Sequence, residues 1–345
     1  MSIDTRIHLL SRCIQIRRLL ENQEVAIVHH WDADGIASAA LLGRVFGVDT
    51  FVIPRIGCYG IDCIGRAETP VLVDYGIPVN TVIKGAIDHH RSRQDSSICI
   101  DTPICNPVSA GLSEDEFPST TYVIKSLILT DSEVSKNGDL IALGIVGDLG
   151  TRVLHSEHLR AFVVKALGSI ERALKLANLV DSCYRAGSYE CIDRVRKALI
   201  EGGVAQVEYD TSLQELSSDI DAEAKKVIER IEIIYSDDAV AIFRARSKYF
   251  LTSYIGRYLA RVYAPKTIVL LHHVESLGLG MVYIRSYGIE VKEIIPILRA
   301  LGYSAGGKDW VAAALCRDSF CRDIEKVIHV LLGGIREKAL GSGTR

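Results

Sequence analysis

The chain has 345 residues, enough for two domains that each bury a core. Apolar residues make up 48% and charged residues 24%, with only 8 Pro, which excludes the disordered, collagen-like and low-complexity classes. The net charge of -3 excludes a long basic footprint, so any contact with nucleic acid is expected to be local.

The first residues, MSIDTRIHLLSRCIQIRRLL, spread charges among apolar positions and end in no small-residue cleavage site, so they read as an amphipathic helix and not as a signal peptide. No apolar run reaches the roughly 18 to 20 residues of a membrane span. The expectation is a cytoplasmic protein without membrane contact. The 9 cysteines are scattered and form no CxxC pair. Cys58 with Cys63, and Cys316 with Cys321, are expected as small buried apolar residues and not as ligands. The scarcity of Met (2 residues), with few Asn and Gln, points to a hyperthermophile, where intracellular disulfides are less surprising.

VAIVHH is a short β-branched run that ends in polar residues, and ASAALLGRVFG follows at helical spacing, so a strand, a loop and a helix are predicted. FVIPRI, PVLVDYG and GAIDHH are further strand-like runs, the last two stopping abruptly in charged or turn residues. Residues 119–130 and 139–147 read as helices, and 157–202 as continuing helix. The charged stretch from 217 to 235 reads as a helical connector. AVAIFRA, TIVLLHHV and GLGMVYIRS then return to strand, with a helix at VKEIIPILRAL and a glycine turn at SAGGKD. The predicted class is α/β in two domains. An N-terminal domain (1–205) holds a mostly parallel sheet flanked by helices, a helical linker follows (206–237), and a smaller α/β domain ends the chain (238–345).

In open parallel sheets ligands bind at the carboxyl ends of the strands, which is where the acidic residues fall. In HHWDADG, His30, Asp32 and Asp34 alternate along an extended segment, and Gly35 is expected to permit the tight turn into the helix. Asp74 in VDYG, His89 and His90 in DHH, and Asp148 in GDLG repeat the pattern at three further element ends. Taken singly, each Asp could be a helix cap; co-occurrence at four elements favours a metal centre. Mixed imidazole and carboxylate ligands without thiolate suit manganese best, with magnesium, cobalt or iron also possible. Two such ions would clamp a phosphate and activate a water. His272 and His273, the same dipeptide without acidic neighbours, are expected to be structural.

In this order HHWDADG, VLVDYG, DHH and GDLG resemble the four motifs of the DHH phosphoesterase family, which includes RecJ-type exonucleases, oligoribonucleases, cyclic-dinucleotide phosphodiesterases and family II pyrophosphatases. The segment NPVSAGLSEDEFPSTTYVIKSL resembles the family's stretch between its third and fourth motifs. IRSYGIEVKEIIPILRALGYSAGGKDWVAAAL resembles the substrate-binding DHHA1 domain. The resemblance, RecJ-like and of archaeal type, covers most of the chain, leaving 150–235 without a motif. It implies that His30, Asp32 and Asp74 hold one ion and that Asp34, Asp74, His89 and Asp148 hold the other, with Asp74 bridging. His29 is the alternative to His30, His90 contacts the substrate phosphate or a metal-bound water, and Asp88 orients a histidine. Arg285 and Ser286 match the pair that grips a phosphate or nucleotide, and Gly306 and Gly307 match a turn that lets phosphate approach. Lys308 stands where the family has histidine, a point charge in place of a proton-exchanging ring.

The implied activity is that of a two-metal, Mn2+-dependent phosphodiesterase (Mg2+ or Co2+ substituting), acting as an exonuclease or oligonucleotide nuclease on single-stranded nucleic acid or short oligonucleotides. A cyclic-dinucleotide or nucleoside-bisphosphate phosphodiesterase is the enzymatic alternative. A replication scaffold that binds GINS and the replicative helicase is the alternative of a different class, against which the complete ligand set argues.

Overall fold

The computed structural model describes residues 3–22, 25–58, 63–64, 70–76, 82–90, 102–287 and 289–316. The chain divides into two compact units, one of residues 1–56, 61–184 and 188–217, the other of 57–60, 185–187 and 218–345. In the first unit the elements run α1 (Ile3–Glu21), β1 (Ala26–His29), α2 (Ala33–Phe46), β2 (Phe51–Val52), β3 (Pro70–Val73), β4 (Gly85–Ile87), β5 (Ile104–Cys105), α3 (Thr120–Leu127), α4 (Asp131–Lys136), α5 (Gly138–Leu149), α6 (Glu157–Leu167), α7 (Ile170–Arg185), α8 (Tyr189–Gly202) and α9 (Val204–Glu208). Helix α10 (Thr211–Glu229) spans the division, and β6 (Glu232–Ser236), β7 (Val240–Ser247), α11 (Thr252–Val262), β8 (Thr267–Val274), β9 (Leu279–Arg285), α12 (Ile294–Ala300), β10 (Ser304–Lys308) and β11 (Val311–Cys316) follow.

The first sheet has the order β2-β1-β3-β4-β5 and every pairing is parallel. Strands β1, β3 and β4 are buried at every position, which is why they read as continuous apolar runs and not as alternating ones. Their hydrogen bonding continues one step past the strands: His30 N donates to Val73 O, Asp74 N to Ile87 O, and Asp88 N to Cys105 O. The three motif-bearing strand ends are therefore direct neighbours. Helix α1 buries Leu9, Cys13, Ile16 and Leu20, a four-three-four spacing that makes one helical face.

Several expectations need correction. Cys13 is disulfide-bonded to Cys105, tying α1 to β5 across a sequence separation of 92. In the chain-entropy treatment a loop of that size is worth about 4 to 5 kcal/mol. Cys183 is bonded to Cys191, and Cys58 and Cys63 are likewise disulfide-bonded and not apolar thiols. Cys316 is buried, while Cys321 lies outside the described residues. The strand read at 51–56 stops at Val52, since Pro54 has no amide to donate. The helix read across 157–202 is three helices, broken at Gly168 (φ 85°) and Gly187 (φ 73°). The connector's helix ends at Glu229; Glu232–Ser236 is instead an edge strand, antiparallel to β7, where β-branched Ile233 and Ile234 fit.

The second sheet has the order β10-β11-β9-β8-β7-β6, with β7 and β8 parallel and the other pairs antiparallel. Val240, Ile242, Val269, Val282, Ile284, Ala312 and Ala314 face a core closed by Ile294, Ile295 and Leu298 of α12. Helix α11 packs on β9, with Gly256 against the ring of Tyr283, where a Cβ would stand 2.2 Å from a ring atom.

As expected, His272 is structural. It is buried in β8, its Nε2 is 2.8 Å from Ser247 Oγ and its Nδ1 is 2.7 Å from Thr252 Oγ1. Burial lowers its pKa from the ordinary 6.5 to about 3. The unfolded chain thus takes up a proton that the folded chain refuses until about pH 3, so His272's contribution to stability is complete above pH 6.5 and falls as pH drops. Chemical denaturation should show wild type losing up to about 1.4 kcal/mol per pH unit below 6.5 relative to His272→Gln. Parallel pH profiles for the two would contradict this.

Candidate metal centre

Each candidate ligand is placed by the end of a regular element. Asp32 is the N-cap of α2, its Oδ1 accepting from Gly35 N at 3.1 Å, while its Oδ2 lies 2.8 Å from His30 Nδ1. The capping role and a ligand role thus fall to different oxygens of one carboxylate. Gly35 does not make a turn; it is helical, and a Cβ there would stand 2.5 Å from His30 O. Its hydrogen side chain lets the His30 segment lie against the first turn of α2.

Asp34, buried in the same turn, reaches the start of α3. Its Oδ2 accepts from Thr120 N at 2.6 Å and its Oδ1 from Thr121 N at 3.1 Å. Ser119 caps α3 and leaves these amides to serve the carboxylate. Asp74, just past β3, has a left-handed backbone (φ 58°), which Asp tolerates better than most residues, and its Oδ1 accepts from Thr120 Oγ1 at 2.9 Å. Asp88 Oδ1 accepts from His89 N (2.8 Å) and His90 N (3.1 Å) and lies 2.7 Å from His90 Nδ1. Asn106 Nδ2 donates to His90 O at 2.8 Å.

Asp148 comes from the C-terminal turn of α5, with its Oδ2 2.8 Å from His89 Nε2. That approach depends on glycine. A Cβ on Gly144 would stand 2.3 Å from Thr121 Oγ1 and 2.5 Å from Asp34 Oδ1, and one on Gly147 would stand 2.8 Å from Ala33 Cβ. Helices α2, α3 and α5 can meet only because these positions are bare.

Among the described residues three donor groups result: His30, Asp32 and Asp74; Asp34, His89 and Asp148; and Asp74, His89 and His90, each with its donor atoms within 4.8 Å of one another. His30, Asp32, Asp34, Asp74, His89, His90 and Asp148 each fall in at least one of them, and Asp88 in none. His29 falls outside. It is fully buried, its Nδ1 is 2.7 Å from His30 O, its ring meets Phe51 edge-on at 6.4 Å, and burial lowers its pKa to about 4.

The electrostatics are those of crowded like charges. Burial, then the charges of Asp34, Asp32 and Asp148, push Asp74 well above the ordinary carboxylate range. Burial and the charge of Asp148 push Asp34 up to about 7. For Asp32 and Asp88 burial works upward, but His30 and His90 respectively outweigh it and hold both below the ordinary range. Such a set fits divalent cations: hard oxygens and imidazoles without thiolate, with more negative charge than the neighbouring protein cations neutralise.

In the second unit Arg285 ends β9, pairing in register with Val311, which pairs in turn with Lys308. Opposed residues of adjacent strands project from one face, so both cations stand on the same side of the sheet. Arg285 Nη1 donates to Tyr283 Oη at 2.9 Å, and its guanidinium lies 5.5 Å from the Tyr287 ring centre. Ser286 is buried, its Oγ accepting from Ile289 N and lying 3.1 Å from Thr267 Oγ1. Gly306 and Gly307 do not form the turn; they lie in β10, and the hairpin turns at Asp309–Trp310. Gly307 (φ 152°) crosses so close to β11 that a Cβ would stand 2.1 Å from Val311 O.

The sequence motifs did not single out Thr120, Thr121, Asn106 or Gly144. Ser-Thr-Thr before an apolar run announces a helix N-terminus, but nothing in it names recipients 46 and 86 residues upstream.

No protein-family model matches the chain, and no curated protein matches it by sequence. Solved structures do. A DHH-domain protein described as a member of a family of ribosomal proteins superposes with TM-score 0.66 at 13% identity, over 97% of this chain and 92% of that one. RecJ from Thermus thermophilus in complex with Mn2+ superposes with TM-score 0.61 at 16% identity, over 93% of this chain and 54% of that one. CDC45 from Entamoeba histolytica gives TM-score 0.52 at 10% identity, over 93% and 98%. These likenesses are of fold, and the fold is the two-unit α/β architecture expected from the motifs.

Two substitutions probe the centre. Thr120→Val should lower Mn2+ affinity about 10-fold or more, with Thr120→Ser restoring it, as read by calorimetric titration. Equal affinity in Thr120→Val and wild type would show that the hydroxyl does not position Asp74. Gly144→Ala should destabilise the chain by about 1 to 3 kcal/mol in urea unfolding, because the methyl has no space between Thr121 and Asp34.

Proposed function

We propose that this chain, whose fold is that of the DHH and RecJ proteins, is a two-metal phosphodiesterase acting on single-stranded nucleic acid or short oligonucleotides. The observation that carries the reading is the overlap of the donor groups. Asp74 belongs to one group with His30 and Asp32 and to another with His89 and His90, while His89 is shared with Asp34 and Asp148. A carboxylate common to two groups is what a pair of neighbouring cations requires.

His30, Asp32 and Asp74 are assigned to one ion and Asp34, Asp74, His89 and Asp148 to the other, with Mn2+ the preferred ion and Mg2+ or Co2+ able to replace it. When bound, two such ions supply charge that offsets what gathers on the phosphoryl oxygens, and they lower the pKa of water. The protein's own part is positioning. The α3 amides fix Asp34, the Thr120 hydroxyl fixes Asp74, and Asp88 holds His90 at Nδ1, so the substrate phosphate is assigned to His90 Nε2. In the second unit Arg285, Ser286, Gly306, Gly307 and Lys308 are assigned to substrate binding, with Arg285 and Lys308 as the cations that meet its phosphates.

The test is hydrolysis, with Mn2+, of end-labelled RNA and DNA from two to about thirty nucleotides, alongside cyclic dinucleotides. Asp74→Ala should abolish the metal-dependent cleavage and keep the circular dichroism of wild type. Cleavage equal in wild type and Asp74→Ala would overturn the assignment. A rate that falls steeply with length would identify short oligonucleotides as the substrate.

A further inference from the structure

Helix α11 carries a surface that the metal centre does not use. Tyr254, Arg257, Tyr258 and Arg261 follow at three, one and three residues, the spacing of a single helical face, and all four are exposed. The opposite face, Ile255, Leu259 and Ala260, is buried. The stripe therefore points away from the sheet, over a length of about 10 Å.

Its arginines differ from those that sit on carboxylates, such as Arg17 on Glu133, Arg172 on Glu208, Arg194 on Asp210, Arg244 on Glu232 and Arg246 on Glu275. Helix α11 contains no acidic residue, and no carboxylate pairs with Arg257 or Arg261 among the described residues. On a chain of net charge -3, two guanidiniums alternating with two exposed phenol rings form a local basic and aromatic stripe. A single-stranded nucleic acid uses both, with phosphates on the guanidiniums and bases on the rings.

We propose that the Tyr254–Arg257–Tyr258–Arg261 face of α11 is an auxiliary binding track for single-stranded nucleic acid, separate from the metal centre. This rests on the nuclease reading of the chain and adds a second, non-catalytic surface for the same class of ligand. The track is sequence-tolerant, because rings and guanidiniums stack on any base and meet any phosphate.

The test is fluorescence anisotropy of the full chain with a 20-nucleotide oligo(dT) in EDTA, across a salt series. Arg257→Gln with Arg261→Gln should make the dependence of log affinity on log salt shallower by about 1.4, from about 0.7 per phosphate contact on a single strand. Tyr254→Ala with Tyr258→Ala should weaken binding about 10-fold or more at every salt concentration, and the corresponding Phe pair should restore it. Mn2+-dependent hydrolysis of bis(p-nitrophenyl) phosphate, a diester with no strand to occupy a track, should be unchanged in all of these variants. If the variants bind oligo(dT) as wild type does, the track is overturned, and an acidic protein partner becomes the reading of the stripe. If wild type fails to hydrolyse the small diester yet the variants lose oligo(dT) binding, the track stands and the catalytic reading falls.

Discussion

Everything in the first unit is arranged around one electrostatic problem, the burial of Asp34 and Asp74 beside Asp32 and Asp148. Taking a carboxylate out of water costs several kcal/mol unless it is neutralised or hydrogen-bonded, and a second carboxylate nearby makes the cost worse. The chain meets part of that cost itself. Two α3 amides are given to Asp34, a hydroxyl to Asp74, two amides to Asp88, and imidazoles to Asp32 and Asp148. What is left is negative charge that the neighbouring protein cations do not neutralise. The same contacts that make the burial tolerable also aim the remaining lone pairs.

The packing follows from that requirement. A carboxylate can use helix N-terminal amides only if the helix arrives at hydrogen-bonding distance, so α3 must come within reach of the first turn of α2. Helix α5 must then pass close enough to deliver Asp148 to His89. Gly35, Gly144 and Gly147 are the sequence record of these approaches, each at a place where a methyl would collide with a neighbour. Asp181 adds a further tie, accepting from Ala33 N at 2.9 Å, so that α7 also holds the start of α2. A site assembled from four elements is thereby made rigid by helix contacts lying behind it, as a preorganised ligand set requires.

This division explains what could be read from the sequence. Strand-end motifs such as HHWDADG, VDYG and DHH are local: residue type, spacing and the apolar run before them lie within ten residues, and together with GDLG they name every residue of the three donor groups that the fold brings together. The parallel sheet was legible for the same reason, since strands buried on both faces are apolar throughout. The preference for His30 over His29 came from the resemblance and not from the spacing, because it depends on which ring of the pair reaches the carboxylates. Thr120 was not legible either, since its meaning lies in partners far away in the chain. The glycines misled at Gly35 and at Gly306–Gly307, where the residue serves close approach inside an element and not a turn. The cysteines misled because a disulfide such as Cys13–Cys105 joins positions that only the fold makes adjacent.

The second unit poses a different question, which is how an acidic chain places its positive charge. Arg285 and Lys308 stand in a row across three strands, with Arg285 steadied by Tyr283 and Tyr287. Lys292 meanwhile takes up Glu290 and Asp309 nearby, lowering the negative potential around that row. Cations held by aromatic neighbours keep their charge available, whereas those on carboxylates do not. The chain's charge is therefore distributed by pairing and not by composition: its net charge says little about what it binds, and the arginines left without a carboxylate say more.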